Sequence, residues 1–397
     1  MYRQETAGKY SKAVVRQAPR AAERRTSSSL FPLRYALLAF ALAALIAAMW
    51  AGLLRLDLEL PYLQPALALS HGPLMISGFL GTLISLERSV ALNRRWAYGA
   101  PLLCAIGTLG LLAGFPGVQW PLLIVAGSLA LVWNFIAIVR RQTALFTIAM
   151  AAGAAAWLVG NALWIFGVPI PQMVHWWAAF LVLTIAGERL ELSRLAPRPA
   201  NAGYLFLVSA AVFLASLVWA SLQRARGLEI AGVGLLLLAL WLARFDVARY
   251  TIRQAGLPRF IALHLLAGYF WLALGGVFWV LTPSTTLNSN WEHFQYDAML
   301  HSIFLGFVFS MIFAHAPIIF PAVTGRPLFY RNTLYIHDVL LHFSVALRII
   351  SDGAGQFSIN RWSGVLNVLA ITVFIVNTVH AIRFGLPDCS PAQTKTS

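Results

Sequence analysis

Apolar stretches of about twenty residues recur from Phe31 almost to the end of this 397-residue chain. Crossing roughly 30 Å of hydrocarbon takes about 20 apolar residues in helix, and in lipid every backbone N–H and C=O must be satisfied within the protein, which leaves helices or closed barrels. Continuous apolar runs, not alternating ones, select helices. The bilayer is therefore this chain's solvent, in keeping with 59% hydrophobic and only 11% charged residues. The expected fold is an all-α polytopic membrane protein of about twelve transmembrane helices. The approximate spans are 32–54, 66–88, 99–116, 119–139, 144–166, 171–189, 203–222, 228–246, 258–282, 294–318, 331–351 and 363–384. The third is short and glycine-rich, and the tenth runs into "HAPIIFPAV", where a proline is expected to bend or stop the helix. Three regions result: a disordered basic tail over 1–31, a single membrane domain over 32–385 and a short tail over 386–397.

Positive residues are retained on the cytoplasmic side, and with the N-terminus inside, 24 of the 29 Lys and Arg fall on that side. Both termini are expected to be cytoplasmic. The formal net charge of +15 is on this reading mostly a topology signal. Its spread over six short loops and a tail excludes the single basic surface that a nucleic-acid partner requires. The first thirty residues lack an apolar core and are no secretory signal. They read as a tail that touches anionic membrane lipid, although an organelle transit peptide shares the composition. Cys104 and Cys389 are isolated and make neither a disulfide framework nor a paired metal motif.

Ionisable side chains at membrane depth are costly and mark sites or pathways, which makes the nine histidines the main functional signal. They fall in two layers. His71, His175 and His301 lie in the outer halves of the second, sixth and tenth segments, with His293 just outside the tenth. His264, His315, His337 and His380 lie in the inner half, and His342 is close to the midplane. Each of the three outer-histidine segments carries a further ionisable group near its inner end, Glu87-Arg88, Glu188-Arg189 and His315, which suggests a period of four helices. In "WEHFQYDAMLHSIF", His293, Asp297 and His301 stand at i, i+4 and i+8 on one helix face. A carboxylate there orients a ligating imidazole, so Asp297 is better placed to support His301 than to bind a metal itself. Asp338 and His342 repeat the spacing. Ser77, Gly81 and Ser85 give a smooth stripe for another helix or a flat cofactor. Packing and salt bridging by themselves also account for a lone histidine such as His264, His342 or His380, and for Glu87 and Glu188. There is no phosphate loop, no Cys-x-x-Cys, no Cys-x-x-Cys-His and no His-Glu-x-x-His, so any haem is held without covalent attachment.

Two families share parts of this pattern. The chain resembles haem-copper oxidase catalytic subunits in helix number and in the depth of His71, His175 and His301, which implies a haem between the second and tenth helices and a copper ligand on the sixth. The seventh segment holds no histidine, the tenth lacks a His-x-His pair, and Ala179 stands four residues after His175, departures that argue against an oxygen- or NO-reducing binuclear centre. The chain is also similar to the NnrS family of twelve-helix, haem- and copper-containing bacterial membrane proteins linked to nitric oxide stress. "HGPLMISGFLGTLI" and "MLHSIFLGFVFSMIFAHAPIIFPAVTGRPL" carry that likeness, with Val323 where the family usually has a histidine before Thr324-Gly325-Arg326. The NnrS resemblance implies that His71 and His301 hold a cofactor, haem b, in a bacterial inner-membrane protein with a redox partner; the oxidase likeness puts copper at His175, and the helix spacing adds Asp297 as support for His301 and His293 as a further metal candidate. His315, His337, His342, His264 and His380, with Glu87 and Glu188, are then inner-layer ligands or a proton relay. Two rival functions are a small-solute or metal-ion transporter with a histidine-lined path, and a cofactor-free membrane assembly factor. Whether the protein is an enzyme stays open on the sequence.

Overall fold

The computed structural model describes residues 30–61, 64–221, 223–281, 290–326 and 328–384. Most of both tails, including Cys389, lies outside the described residues. Within them the chain is helical and carries no strand, as expected of a chain that must satisfy its own backbone in lipid. The helices are α1 (Phe31–Arg55), α2 (Ala68–Leu92), α3 (Gly99–Leu112), α4 (Gln119–Arg141), α5 (Leu145–Ile165), α6 (Ile170–Leu192), α7 (Ala202–Ala220), α8 (Arg224–Phe245) and α9 (Leu257–Leu281). After them come α10, built from consecutive segments Asn290–His301, Ser302–Phe309 and Ser310–Thr324, then α11 (Tyr335–Gly353) and α12 (Phe357–Phe384). Among the described residues, eleven helices are long and apolar enough to cross a membrane. The twelfth, α3, has 14 residues, about 21 Å at 1.5 Å per residue, and is lengthened at its start by a 3-10 turn over Arg95–Tyr98.

Successive helices reverse direction through short connections. The face at which α1 begins and α12 ends is called proximal here, and the opposite face distal. Burial is uneven: α6 and α10 each have 72% of their apolar window enclosed and α2 has 61%, while no other helix exceeds 56%. The three helices that carry His71, His175 and His301 are thus the most enclosed of the bundle.

Two backbone features depart from plain α-helix. In α2 the turns over Leu74–Gly81 are wide π turns that begin three residues after His71, and in α10 the turns over Ser302–Phe309 are wide directly after His301. The two wide segments meet through stacked Phe79 and Phe309, ring centroids 6.1 Å apart. α6, by contrast, is regular α-helix throughout, so the four-helix period is matched in backbone geometry by α2 and α10 only. Of the bend or stop expected at the prolines of α10, the stop does not occur. The helix continues through Pro317 and Pro321 to Thr324 and ends where Gly325 takes a left-handed φ of +71°, its N–H bonding to the Pro321 carbonyl at 2.8 Å. Neighbouring helices and local backbone adjustment tolerate proline at membrane depth, and it is the glycine that terminates the helix.

Candidate functional site

The distal end gathers polar groups from α1, α2, α10 and α11. The His71 ring lies against α1 at Gly52, where even a Cβ would come within 3.0 Å of the imidazole. Its Nδ1 is 2.7 Å from the Ala48 carbonyl. A carbonyl only accepts, so Nδ1 carries the hydrogen and Nε2 keeps its lone pair in the neutral ring. His301 reaches the same tautomer by another route: Nδ1 is 2.9 Å from the Asp297 carbonyl and 3.1 Å from Asp297 Oδ1. Arg348 of α11 clamps that carboxylate from the other side, donating from Nε at 2.8 Å and Nη2 at 2.9 Å. His71 lies within electrostatic reach of His301, Arg55 and Arg348. Two imidazoles with Nδ1–H tied down and Nε2 available form the arrangement in which a histidine ligates iron or another metal through Nε2 while a hydrogen bond to the opposite nitrogen fixes the ring.

His293 extends this cluster toward Asp352 of α11, with which it interacts electrostatically alongside Asp297, His301 and Arg348. His175 is turned to a different neighbour: its ring lies 4.9 Å from that of Trp279 on α9, which in turn packs on Phe213 of α7. Among the described residues, no three His, Cys, Asp or Glu side chains converge as a metal set. The distal cluster is thus built around two histidines, His71 and His301, each with its Nδ1 engaged.

The proximal half separates into two networks. In the first, Arg88 pairs with Glu87 at 2.8 Å and also with Glu188, and Arg189 binds Asp246 through both Nε and Nη2 at 2.8 Å. His315 joins this second arginine, Nε2 lying 3.4 Å from Arg189 Nη1 while Nδ1 bonds the Met311 carbonyl at 2.7 Å. In the second network Asp338 Oδ1 sits between two imidazoles, 3.1 Å from His264 Nε2 and 3.0 Å from His342 Nε2. The His337 ring is 6.3 Å from that of His264. His380 is on an exposed face of α12. The inner histidines expected as one layer are thus three populations: one with the arginine–carboxylate network, three around Asp338, and one exposed.

The small-residue stripe of α2 faces another helix. A Cβ at Gly81 would meet the Trp157 ring of α5 at 2.2 Å, and Ser77 accepts from Trp157 Nε1 at 3.3 Å and contacts Asn161 Oδ1 at the same distance. Its role is close helix packing. Sequence reasoning did not single out Gly52, Trp271, Asp246 or Arg348. Arg348 was visible as one of only five basic residues expected outside, but that counted toward topology; its pairing with Asp297, 51 positions earlier, left no local pattern.

A family model described as a domain of unknown function, DUF8744, matches residues 34–383. The chain belongs to this family. The match takes in the membrane bundle from the buried Arg34 near the start of α1 to the last residues of α12, with every histidine discussed above inside it. No curated protein matches the chain.

Proposed function

We propose that this DUF8744 protein is an integral membrane haem-binding protein with a redox role, its haem held by His71 and His301. The observation that carries the reading is the shared tautomer of the two rings, each fixed at Nδ1 by Ala48 or Asp297 with Nε2 left as a ligand. The donor chemistry fits a haem b without covalent attachment. When bound, that group would supply one-electron chemistry, and a haem held by both His71 and His301 would serve electron transfer or redox sensing rather than substrate reduction. The chain's own residues do the positioning. Ala48 and Gly52 seat the ring of His71, Asp297 orients that of His301, and Arg348 keeps the Asp297 carboxylate charged and in place. Arg55 and Arg348 put positive charge beside the pair, which suits the carboxylates of a haem edge.

The nitric-oxide-stress role, the bacterial inner-membrane location, the cytoplasmic termini and a redox partner meeting the distal face rest on the resemblance to the NnrS family and on the charge pattern. Copper rests on the resemblance alone, with His175 and His293 as its candidate ligands. The test is visible absorption of the detergent-purified full chain, oxidised and dithionite-reduced, together with iron and copper content. Sharp reduced bands with about one iron per chain are expected of bis-histidine haem, and His71→Ala or His301→Ala should abolish or broaden them. A colourless, iron-free protein from haem-replete cells would overturn the reading and leave the transporter and assembly-factor readings.

A further inference from the structure

His264, Asp338 and His342 present a problem of charge and of hydrogen bonding that the distal site does not share. The other two deeply placed aspartates are each clamped by a guanidinium, Asp297 by Arg348 and Asp246 by Arg189. The two ion-pair contacts of Asp338 are both imidazoles. The ring tautomers are set from outside the trio. His264 Nδ1 is 2.8 Å from the Phe260 carbonyl and so carries its hydrogen, which leaves a neutral His264 facing Asp338 with a bare Nε2. His342 Nδ1 accepts from Trp271 Nε1 at 2.8 Å, so its hydrogen is on Nε2. With both rings neutral and the carboxyl ionised, the trio bears one uncompensated negative charge at membrane depth, and a lone pair abuts a carboxylate oxygen at 3.1 Å. Isolated charge in the hydrocarbon region is expensive. His264 Nε2, His342 Nε2 and Asp338 Oδ1 are moreover buried, and among the described residues His264 Nε2 is left without a hydrogen-bond donor, as is His337 Nε2.

We infer that His264, Asp338 and His342 form a buried proton-binding site, which holds one proton beyond the neutral-ring, ionised-carboxyl state. That proton neutralises the trio and converts the Nε2–Oδ1 approach of His264 from two acceptors into a donor and an acceptor. The ligand is a proton taken from water at the proximal face: His264 lies seven residues into α9 and His342 seven residues into α11, about 10 Å from the start of each helix. From α9 the trio is faced by Phe260 and Trp271, and from α10 by Phe313. α11 adds Tyr335 and His337, and α12 reaches His337 through Asn377. The titratable neighbours are thus His337 and Tyr335, with Tyr330 and Arg259 beyond Tyr335. The site is independent of haem, and His315, held by Arg189, is no part of it.

Isotopically labelled histidine in the detergent-solubilised full chain, followed by NMR with single-histidine variants for assignment, reports the state of each ring nitrogen. Infrared difference spectra report any protonated carboxyl. The expected result near neutral pH is either an imidazolium at His264 or a carboxylic C=O stretch that Asp338→Asn removes. That proton should leave in one step, moving the His264 and His342 signals together, and Trp271→Phe, which frees His342 Nδ1, should displace the step. If Asp338→Asn does not fold, labelled aspartate in the native chain reads the same carboxyl. A His264 that keeps an unprotonated Nε2 throughout the range in which imidazole titrates, about pH 5 to 8, with no such C=O stretch, would overturn the proposal.

Discussion

Asp297 and Asp338 each precede a histidine by four residues, and the helix brings each carboxylate to the ring one turn on. Their partners then differ. Asp297 meets the Nδ1 of His301 and is locked by Arg348, so it stays a fixed anion that orients a ring. Asp338 meets Nε2 of two histidines, and among the described residues no arginine clamps it, so its charge is a question of proton count. Removing one member of a buried ion pair leaves the other uncompensated, at a cost of about 3–5 kcal/mol. Arg348→Ala should therefore lower thermal stability in detergent by that order, and the Asp297→Ala/Arg348→Ala double variant should lose clearly less than the two single losses together, since both report one interaction. Additive losses would show that the clamp contributes little. Gly81 gives a steric counterpart. A methyl there drives into the Trp157 ring, and overpacking of this kind costs about 1–3 kcal/mol. Gly81→Ala should be destabilised accordingly in thermal unfolding, with part of the loss recovered in a Trp157→Leu background.

At the level of elements, the wide turns of α2 and α10 set the angular position of everything beyond them. Each residue of a regular helix advances the side-chain direction by about 100°, at 3.6 residues per turn, so helices with and without such turns present different faces to the same neighbours. π segments occur frequently at functional sites, and here they begin beside His71 and His301. Deleting one residue within 74–81 should restore regular helix and rotate His71 away from His301 while keeping α2 membrane-length. If the two rings bind haem together, the variant loses the sharp reduced bands but still inserts and purifies as a monodisperse species. Unchanged spectra would show that the wide turns do not aim His71. Neither segment was legible in the sequence. "LMISGFLG" and "SIFLGFVF" read as ordinary apolar helix, because a π turn is decided by what packs against it and not by residue preference. The continuation of α10 through Pro317 and Pro321 escaped notice for the same reason.

For the whole molecule, the charge pattern predicts which loops face the outside. In a chain with Cys104 and Cys389 replaced by serine, a cysteine introduced at Asp57 should react with a membrane-impermeant thiol reagent added to intact cells, and one at Arg94 only after permeabilisation. The opposite labelling would invert the topology and place the proximal proton site on the outer side.

What the sequence determined by itself is the class of fold, the approximate helix positions and the local pairs. Hydrophobic length and i, i+4 spacing are properties of short stretches, so Asp297–His301 and Asp338–His342 were legible with no partner helix in view. What only the tertiary structure decided is which groups share a site. His264 joins Asp338 from 74 positions away, Arg348 reaches Asp297 across 51, and Gly52 makes room for His71 on a different helix, whereas His175 is turned toward Trp279. Helices in lipid gain little from hiding apolar surface from one another and associate through close packing and polar contacts. Their rotation about their own axes is therefore fixed by shape and by a few hydrogen bonds between distant positions, and that rotation gathers scattered histidines into a distal cluster around Asp297 and a proximal trio around Asp338.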